Sequence, residues 1–193
     1  MANNTETVTG SQRLFEGRIL NLRLDTVLLP NGKTSRREIV EHRGAVAMVP
    51  MLDHSTVMLI RQYRGAAGGS LLEIPAGTRD PDEDIAACAR RELAEEINYA
   101  AGQMIKLFQS FMAPGYSTEV IHTFLALDLV PTEGHTDEDE FLELVPLPLV
   151  AALDKIKTGE IQDAKSISGL LYADRVLRER ATGLALLHTE PKP

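Results

Sequence analysis

An α/β fold is what the sequence predicts, on three observations. Short apolar stretches separated by turn residues fill the first eighty positions and return between 105 and 145. One acid-capped amphipathic segment, ending near Ile97, interrupts them, and two further helical segments follow at the end. Strand runs mixed with a few helices point to a sandwich with a mixed sheet rather than a regular parallel βαβ array. A chain of 193 residues, 44% hydrophobic and 25% charged, has the ordinary make-up of one globular domain with a small extension.

Residues 1–12 are polar and are expected to form a frayed tail. Residues 13–42 read as a small antiparallel sheet: Ile19, Leu20, Leu22 and Leu24 form one stretch, Val27, Leu28 and Leu29 another. Pro30-Asn31-Gly32-Lys33 follows, and Asn-Gly is a strong hairpin signal. Residues 43–193 make the main domain. Strands are expected at 44–52 and 56–63, joined by Asp53-His54-Ser55, and a glycine-rich loop at 65–69 leads to Leu71-Leu72-Glu73-Ile74-Pro75-Ala76-Gly77. Asp80-Pro81-Asp82-Glu83 reads as a helix start, with Pro at the first position and Glu at the third. That helix runs to about Ile97, where Asn98 suits a left-handed terminator. Strands follow at 105–111, 120–129 and 141–145, and helices at 148–158 and 163–180.

Composition excludes several functions. The net charge is −8, a poor match to duplex nucleic acid, whose binding rests on neutralising phosphates. Tryptophan is absent and aromatics are 5%, which argues against a stacking platform for single strands. One cysteine allows neither an intrachain disulfide nor a four-cysteine zinc ribbon, and fits a reducing compartment. No apolar run has the length of a membrane span, and Met1 to Ser11 lack the plan of a signal peptide. A cytoplasmic protein without a membrane or nucleic-acid partner is expected.

The chemistry gathers on the central helix. Glu92 and Glu96 are one turn apart with Glu95 beside them, so three carboxylates fall within roughly a 100° arc. Like charges at that spacing repel unless a cation sits among them. Ala86, Ala89, Leu93 and Ile97 form the adjoining apolar stripe, which places the carboxylates at the border of the core. Hard oxygen ligands grouped this way suit Mg²⁺ or Mn²⁺. Taken alone, Arg90, Arg91, Glu92, Glu95 and Glu96 also fit a solvated charged face.

The surrounding residues decide between the two. Gly77, five residues, Glu83, seven residues, and then Arg91-Glu92-Leu93-Ala94-Glu95-Glu96-Ile97-Asn98 resemble the Nudix box, a loop–helix–loop that binds metal for cleaving nucleoside diphosphates linked to another group. Seven of the eight fixed positions match; Asn98 stands where the family has its last glycine, and Asn is the next best residue for a left-handed backbone. The resemblance implies an α/β/α sandwich. It also implies Glu92, Glu96 and the Ala76 carbonyl as metal ligands, Glu95 as a ligand or water-orienting group, and a structural Arg91–Glu83 pair.

Residues outside the box resemble the ADP-ribose pyrophosphatase subgroup: Pro114, fifteen positions past Tyr99, Arg61-Gln62-Tyr63-Arg64, Leu72-Glu73-Ile74-Pro75-Ala76-Gly77, Gly17-Arg18-Ile19-Leu20-Asn21-Leu22, and Ile39-Val40-Glu41-His42. By that resemblance Arg18, Ile19, Arg36, Glu38, Gln62, Arg64, Gly115 and Glu119 are the expected substrate residues. Arg18 and Ile19 would flank the adenine, Arg64 would reach the diphosphate and Glu119 would accept ribose hydroxyls. The N-terminal sheet is expected to be exchanged across a homodimer. The run Asp137-Glu138-Asp139-Glu140 is a solvated turn by composition alone, but the subgroup takes its general base from this loop, which makes Glu138 the first choice and Glu140 the second. Cys88 and the scattered methionines read as packed side chains, and His122 as a packed or hydrogen-bonded one; the five histidines show no metal-ligand spacing.

The activity so implied is metal-dependent hydrolysis of ADP-ribose to AMP and ribose 5-phosphate. The alternative is a broader ADP-sugar or GDP-sugar pyrophosphatase. A different class, a non-catalytic nucleotide-sugar sensor, is disfavoured by the intact Glu92, Glu95 and Glu96.

Overall fold

The computed structural model describes residues 4–134 and 141–183. Three strands form an N-terminal antiparallel sheet: β1 (Thr7–Glu16), β2 (Leu20–Leu28) and β3 (Thr34–His42). The hairpin between β2 and β3 turns at the expected place, with Gly32 at φ +79° donating its N–H to the Leu29 carbonyl. The tail is shorter than expected, because β1 starts at Thr7 rather than after residue 12. Every residue of β1 is exposed, so burial leaves no trace of this strand in the sequence. Its backbone pairs with β2, and polar contacts fix the sheet: Ser11 donates to Asp25 at 2.7 Å, and Arg13 and Arg23 both pair with Glu41.

The remaining strands are β4 (Ala45–Pro50), β5 (Thr56–Arg64), β6 (Gly69–Glu73), β7 (Ala76–Thr78), β8 (Tyr99–Phe111), β9 (Val120–Pro131) and β10 (Leu142–Pro148). They make a four-stranded sheet in the order β7-β4-β9-β8, mixed because β4 and β9 are parallel, and an antiparallel sheet in the order β10-β5-β6. Pro146 and Pro148 are tolerated because β10 is an edge strand. Three helices complete the fold: α1 (Ile85–Ile97), α2 (Leu149–Thr158) and α3 (Ala164–Ala181). β8 begins six residues before its expected start; pairing along β9 carries the weakly strand-forming Tyr99-Ala100-Ala101 into the sheet.

Alternate residues of β4 and β5 supply two core layers. Ala47, Val49, Val57 and Leu59 pack with Leu149 and Ala152 of α2 and with Leu170, Ala173 and Val176 of α3. Val46, Met48, Met58 and Ile60 pack with Cys88, Ala89, Leu93 and Ile97 of α1. Burial on both faces explains why these strands read as unbroken apolar runs. The result is the expected α/β/α sandwich, with α1 on one side and α2 and α3 on the other.

The helix starts show which sequence signals are used. α1 is capped by Asp84, which accepts from the amides of Ala86 and Ala87, both at 3.0 Å, and not by Asp80 as expected. Asp80 to Glu83 form a turn with Asp82 at φ +59°, in which Glu83 accepts from the Asp80 amide at 3.1 Å and also pairs with Arg91. Asn98 ends the helix in the left-handed conformation, φ 59° and ψ 40°, as expected. α3 is capped by Asp163 through Ser166, whose buried hydroxyl donates to Asp163 and accepts from the Ile74 amide, both at 2.9 Å.

Candidate active site

Glu92, Glu95 and Glu96 lie on α1 where it faces the β7 loop, and the packing of Leu93 and Ile97 on the sheet fixes that orientation. Glu96 is 3% exposed, and its Oε2 accepts from the Ala76 amide at 2.9 Å. Glu92, 9% exposed, lies directly over Gly77: a Cβ built on Gly77 would stand 1.9 Å from the Glu92 carboxyl carbon. The loop therefore passes beneath the carboxylate only because residue 77 has no side chain.

Arg91 organises the cluster. Its Nε and Nη2 grip both oxygens of Glu83 at 2.9 Å each, the expected loop-to-helix pair. Its Nη1 also donates to Glu92 at 2.9 Å and Glu95 at 2.8 Å, which sequence reasoning did not anticipate. A guanidinium thus meets part of the like-charge repulsion that the sequence reading assigned to a metal ion. Glu92 and Glu95 come together on Arg91, whereas Glu96 turns to the Ala76 amide. Among the described residues, no three His, Cys, Asp or Glu side chains converge as ligands of one ion. The donor set itself fits a hard divalent cation: carboxylate oxygens one helical turn apart, against a glycine that leaves room over the loop.

The Arg91 fork holds the Glu83 carboxyl down to about 2, helped by the Asp80 amide. A carboxyl lowered on folding stabilises the protein above its unfolded value, and that stability is lost as pH falls through the folded value. Glu83→Gln should therefore be less stable than the native chain at neutral pH, and the gap should close between about pH 4.5 and about pH 2. Denaturant midpoints of the two proteins across that range test this; a gap that stays constant would show that the Glu83 charge is not what holds the loop. Cys88, buried in α1, has its thiol pushed up to about 12 by burial and is inert packing, as expected.

Two depressions meet at Gly77 and Thr78. A groove of about 510 Å³ is lined by Arg18, Ile19, Arg43, Gly77, Thr78, Arg79, Asp80, Arg91, Glu92 and Glu95. A cleft of about 400 Å³ carries Arg64, Glu73, Ala76, Gly77, Glu119, Asp163 and Lys165 in its walls. Of the sequence-predicted residues, the structure thus brings Arg18, Ile19, Arg64, Glu119 and Ala76 to the carboxylates. Gln62 shares a face of β5 with Arg64, and its Oε1 is buried without a partner among the described residues. Gly115 sits in an exposed turn between β8 and β9, away from the walls of the cleft, and Arg36 and Glu38 point to solvent from β3. Glu138 and Glu140 lie outside the described residues. The segment leading to them leaves from the end of α1, where Asn98 accepts from the amides of Thr132 at 2.9 Å and Gly134 at 3.0 Å.

Sequence reasoning missed what holds Arg64. Glu73, 1% exposed, receives Arg64 in a two-pronged contact, 2.7 Å from Nε and 3.1 Å from Nη2, and also pairs with Lys165. A carboxylate inside the apolar run Leu72-Glu73-Ile74 was the available signal for Glu73. Lys165 arrives from 92 positions further along the chain and has no local signal.

Comparison with known proteins agrees with this arrangement. Residues 41–169 match the model of the NUDIX domain, and residues 6–40 that of the nucleoside diphosphate sugar hydrolase N-terminal domain. The chain is 40% identical over 169 residues to a methanol dehydrogenase activator of Bacillus methanolicus, covering 86% of this chain and 91% of that protein. It is 36% identical over 169 residues, with the same coverage, to an ADP-ribose pyrophosphatase of Bacillus subtilis (strain 168). A GDP-mannose pyrophosphatase of Citrobacter koseri is 41% identical over 147 residues, 71% of this chain and 76% of that one. A crystal structure of an ADP compounds hydrolase superposes with a TM-score of 0.81 at 26% identity, covering 93% of this chain and 97% of the other. With the box carboxylates, their arginine and the glycine beneath them in place, and a domain match over most of the sequence, the chain belongs to the Nudix family of hydrolases.

Proposed function

We propose that this protein cleaves the diphosphate of ADP-ribose, giving AMP and ribose 5-phosphate, with Mg²⁺ as its ion and Mn²⁺ as a substitute. The observation that carries the reading is the meeting of groove and cleft at Gly77, beside Glu92. A dinucleotide-sized ligand laid across that point has Arg18 and Ile19 at one end, Arg64 and Glu119 at the other, and its diphosphate over the carboxylates. A bound divalent cation supplies charge neutralisation for a diphosphate, whose oxygens otherwise repel a nucleophile. Glu92 and Glu96, with the Ala76 carbonyl, are the residues to hold it, and Glu95 the residue to hold it or orient water.

The protein's own side chains do the rest. The Arg18 guanidinium stacks on the base, and Arg64, kept aimed by Glu73, binds a phosphate oxygen. Glu119 accepts from ribose hydroxyls. Glu138 takes the proton of the attacking water, with Glu140 as second choice; the nearby exit from Asn98, three positions past Glu95, supports a base from this segment. The B. subtilis relative supports ADP-ribose as substrate, and the C. koseri relative supports the alternative, a GDP-sugar. Turnover of ADP-ribose, ADP-glucose, GDP-mannose and NADH with Mg²⁺, read by phosphate release from the products, separates them. Preference for GDP-mannose would overturn the first reading.

The working unit is proposed to be a cytoplasmic homodimer joined through the N-terminal sheet. That sheet leaves Val8, Leu14, Phe15, Ile19, Leu20 and Leu28 exposed, more apolar surface than a three-stranded sheet carries comfortably in water. Arg36 and Glu38, remote from this chain's own groove, would then serve the partner's site. Light scattering should give twice the chain mass; a monomer would remove Arg36 and Glu38 from the site. No described helix is long and apolar enough to cross a membrane.

A further inference from the structure

We propose that a second cavity, walled by Arg43, Arg79, Gln109 and His122, is an anion site that takes a phosphate dianion, either inorganic phosphate or a phosphate monoester. The cavity has a volume of about 310 Å³. It lies beside the groove over Glu92 and Glu95 and shares Arg43 and Arg79 with it, but no carboxylate lines it.

The position of His122 is the first sign. It lies on the face of β9 that carries Phe124 and Ala126 against α1, where the pattern calls for another apolar residue. An imidazole stands there instead, paired across the sheet with Gln109, and its Nδ1 is sealed from solvent with no hydrogen-bond partner. The Nε of Arg79 is buried without a partner as well. Buried polar groups are nearly always satisfied, and two such atoms bordering one cavity mark a spot where the chain alone leaves its polar groups unmet.

Charge identifies the ligand. In a chain of net charge −8, Arg13, Arg23, Arg37, Arg64 and Arg91 all sit in ion pairs. Arg43 and Arg79 make none among the described residues, and neither do Arg18, Arg36, Arg90 and Arg180; what sets the first two apart is that they stand together in a cavity that no carboxylate lines. Burial, Lys106 and Arg79 together hold His122 below its ordinary value, so at neutral pH it adds an N–H donor without a further charge. Two guanidinium forks with amide and imidazole donors around one small space suit a tetrahedral dianion with several acceptor oxygens. The inference does not rest on the choice of ADP-ribose as substrate.

The test uses the full chain with ¹⁵N-labelled histidine. Inorganic phosphate, AMP and ribose 5-phosphate are titrated in turn while the His122 ring signals are followed, with adenosine and ribose as phosphate-free controls. At least one phosphate compound should shift His122 saturably and the controls should not. By calorimetry Arg79→Gln and His122→Gln should each weaken that compound about tenfold, and Arg79→Lys, which keeps the charge, should weaken it less. A response to inorganic phosphate alone identifies the free ion as the ligand, and a response to the esters alone identifies a monoester; either supports the site. A His122 signal unmoved by all three, or affinity unchanged in both glutamine variants, overturns it. Absence of ADP-ribose turnover would count against the proposed reaction and leave this result standing.

Discussion

Glu96→Gln should lower kcat on the preferred nucleotide sugar by at least about 100-fold while the protein remains folded. Partners that only orient a metal ligand typically cost about 10- to 100-fold when removed, so loss of a ligand's charge should reach or exceed that range. The fold should survive because the hydrogen bond that ties Glu96 to the loop can be kept: its Oε2 accepts from the Ala76 amide at 2.9 Å, and an amide oxygen can accept the same bond. Removing a negative charge from a side chain only 3% exposed also lowers the cost of burying it. The expected signature is therefore a fall in kcat with an unchanged melting temperature, measured at saturating Mg²⁺ and again at raised Mg²⁺. Full activity in the variant would remove Glu96 from the metal site. The same variant separates an enzyme from a sensor: native turnover that Glu96→Gln abolishes marks catalysis, whereas a native chain that binds the nucleotide without turning it over marks a sensor.

The parts of this site that were legible in the sequence are those whose signal is local. Glu92, Glu95 and Glu96 lie within five positions on one helix, so helical periodicity alone puts them together. The Asn-Gly turn and the Asn98 terminator were legible for the same reason, since each is a backbone preference of a single residue. What failed to show were features settled by distant partners. β1 is held by backbone pairing and by contacts such as Arg13–Glu41, 28 positions apart, and its exposed residues carry no burial pattern. The cap of α1 is the local exception: Asp84 prevailed over Asp80 although Glu83 does reach back to the Asp80 amide at 3.1 Å, because Asp82 at φ +59° is left-handed and interrupts the helix before Asp84. The network that aims Arg64 depends on Lys165, brought in by α3 from 92 positions beyond Glu73. The fold class could thus be read from periodicity, whereas the geometry around the substrate required knowing which elements meet.

Gly77→Ala should cost nearly as much activity as Glu92→Gln, although it removes no functional group. Gly77 is not called for by its backbone conformation, since it is not among the residues with positive φ. It is called for by space. A methyl group there would stand 1.9 Å from the Glu92 carboxyl carbon and 2.0 and 2.3 Å from its oxygens, far inside van der Waals contact. The helix is anchored by Leu93 and Ile97, both fully buried, so the backbone of α1 cannot retreat. The Glu92 side chain must swing away, losing its 2.9 Å contact with Arg91 and its place over the loop. The expected loss in kcat is on the order of 100-fold. Because both substitutions act through one carboxylate, the double variant should be no worse than the poorer single one, a non-additivity that residues in direct contact show and independent sites do not. Losses that multiply in the double variant, or a Gly77→Ala enzyme with native activity, would mean that the glycine serves something other than Glu92. Gly77→Ala combined with Glu92→Asp, which shortens the side chain by one methylene and makes room for the new methyl, should recover part of the activity that Gly77→Ala alone loses.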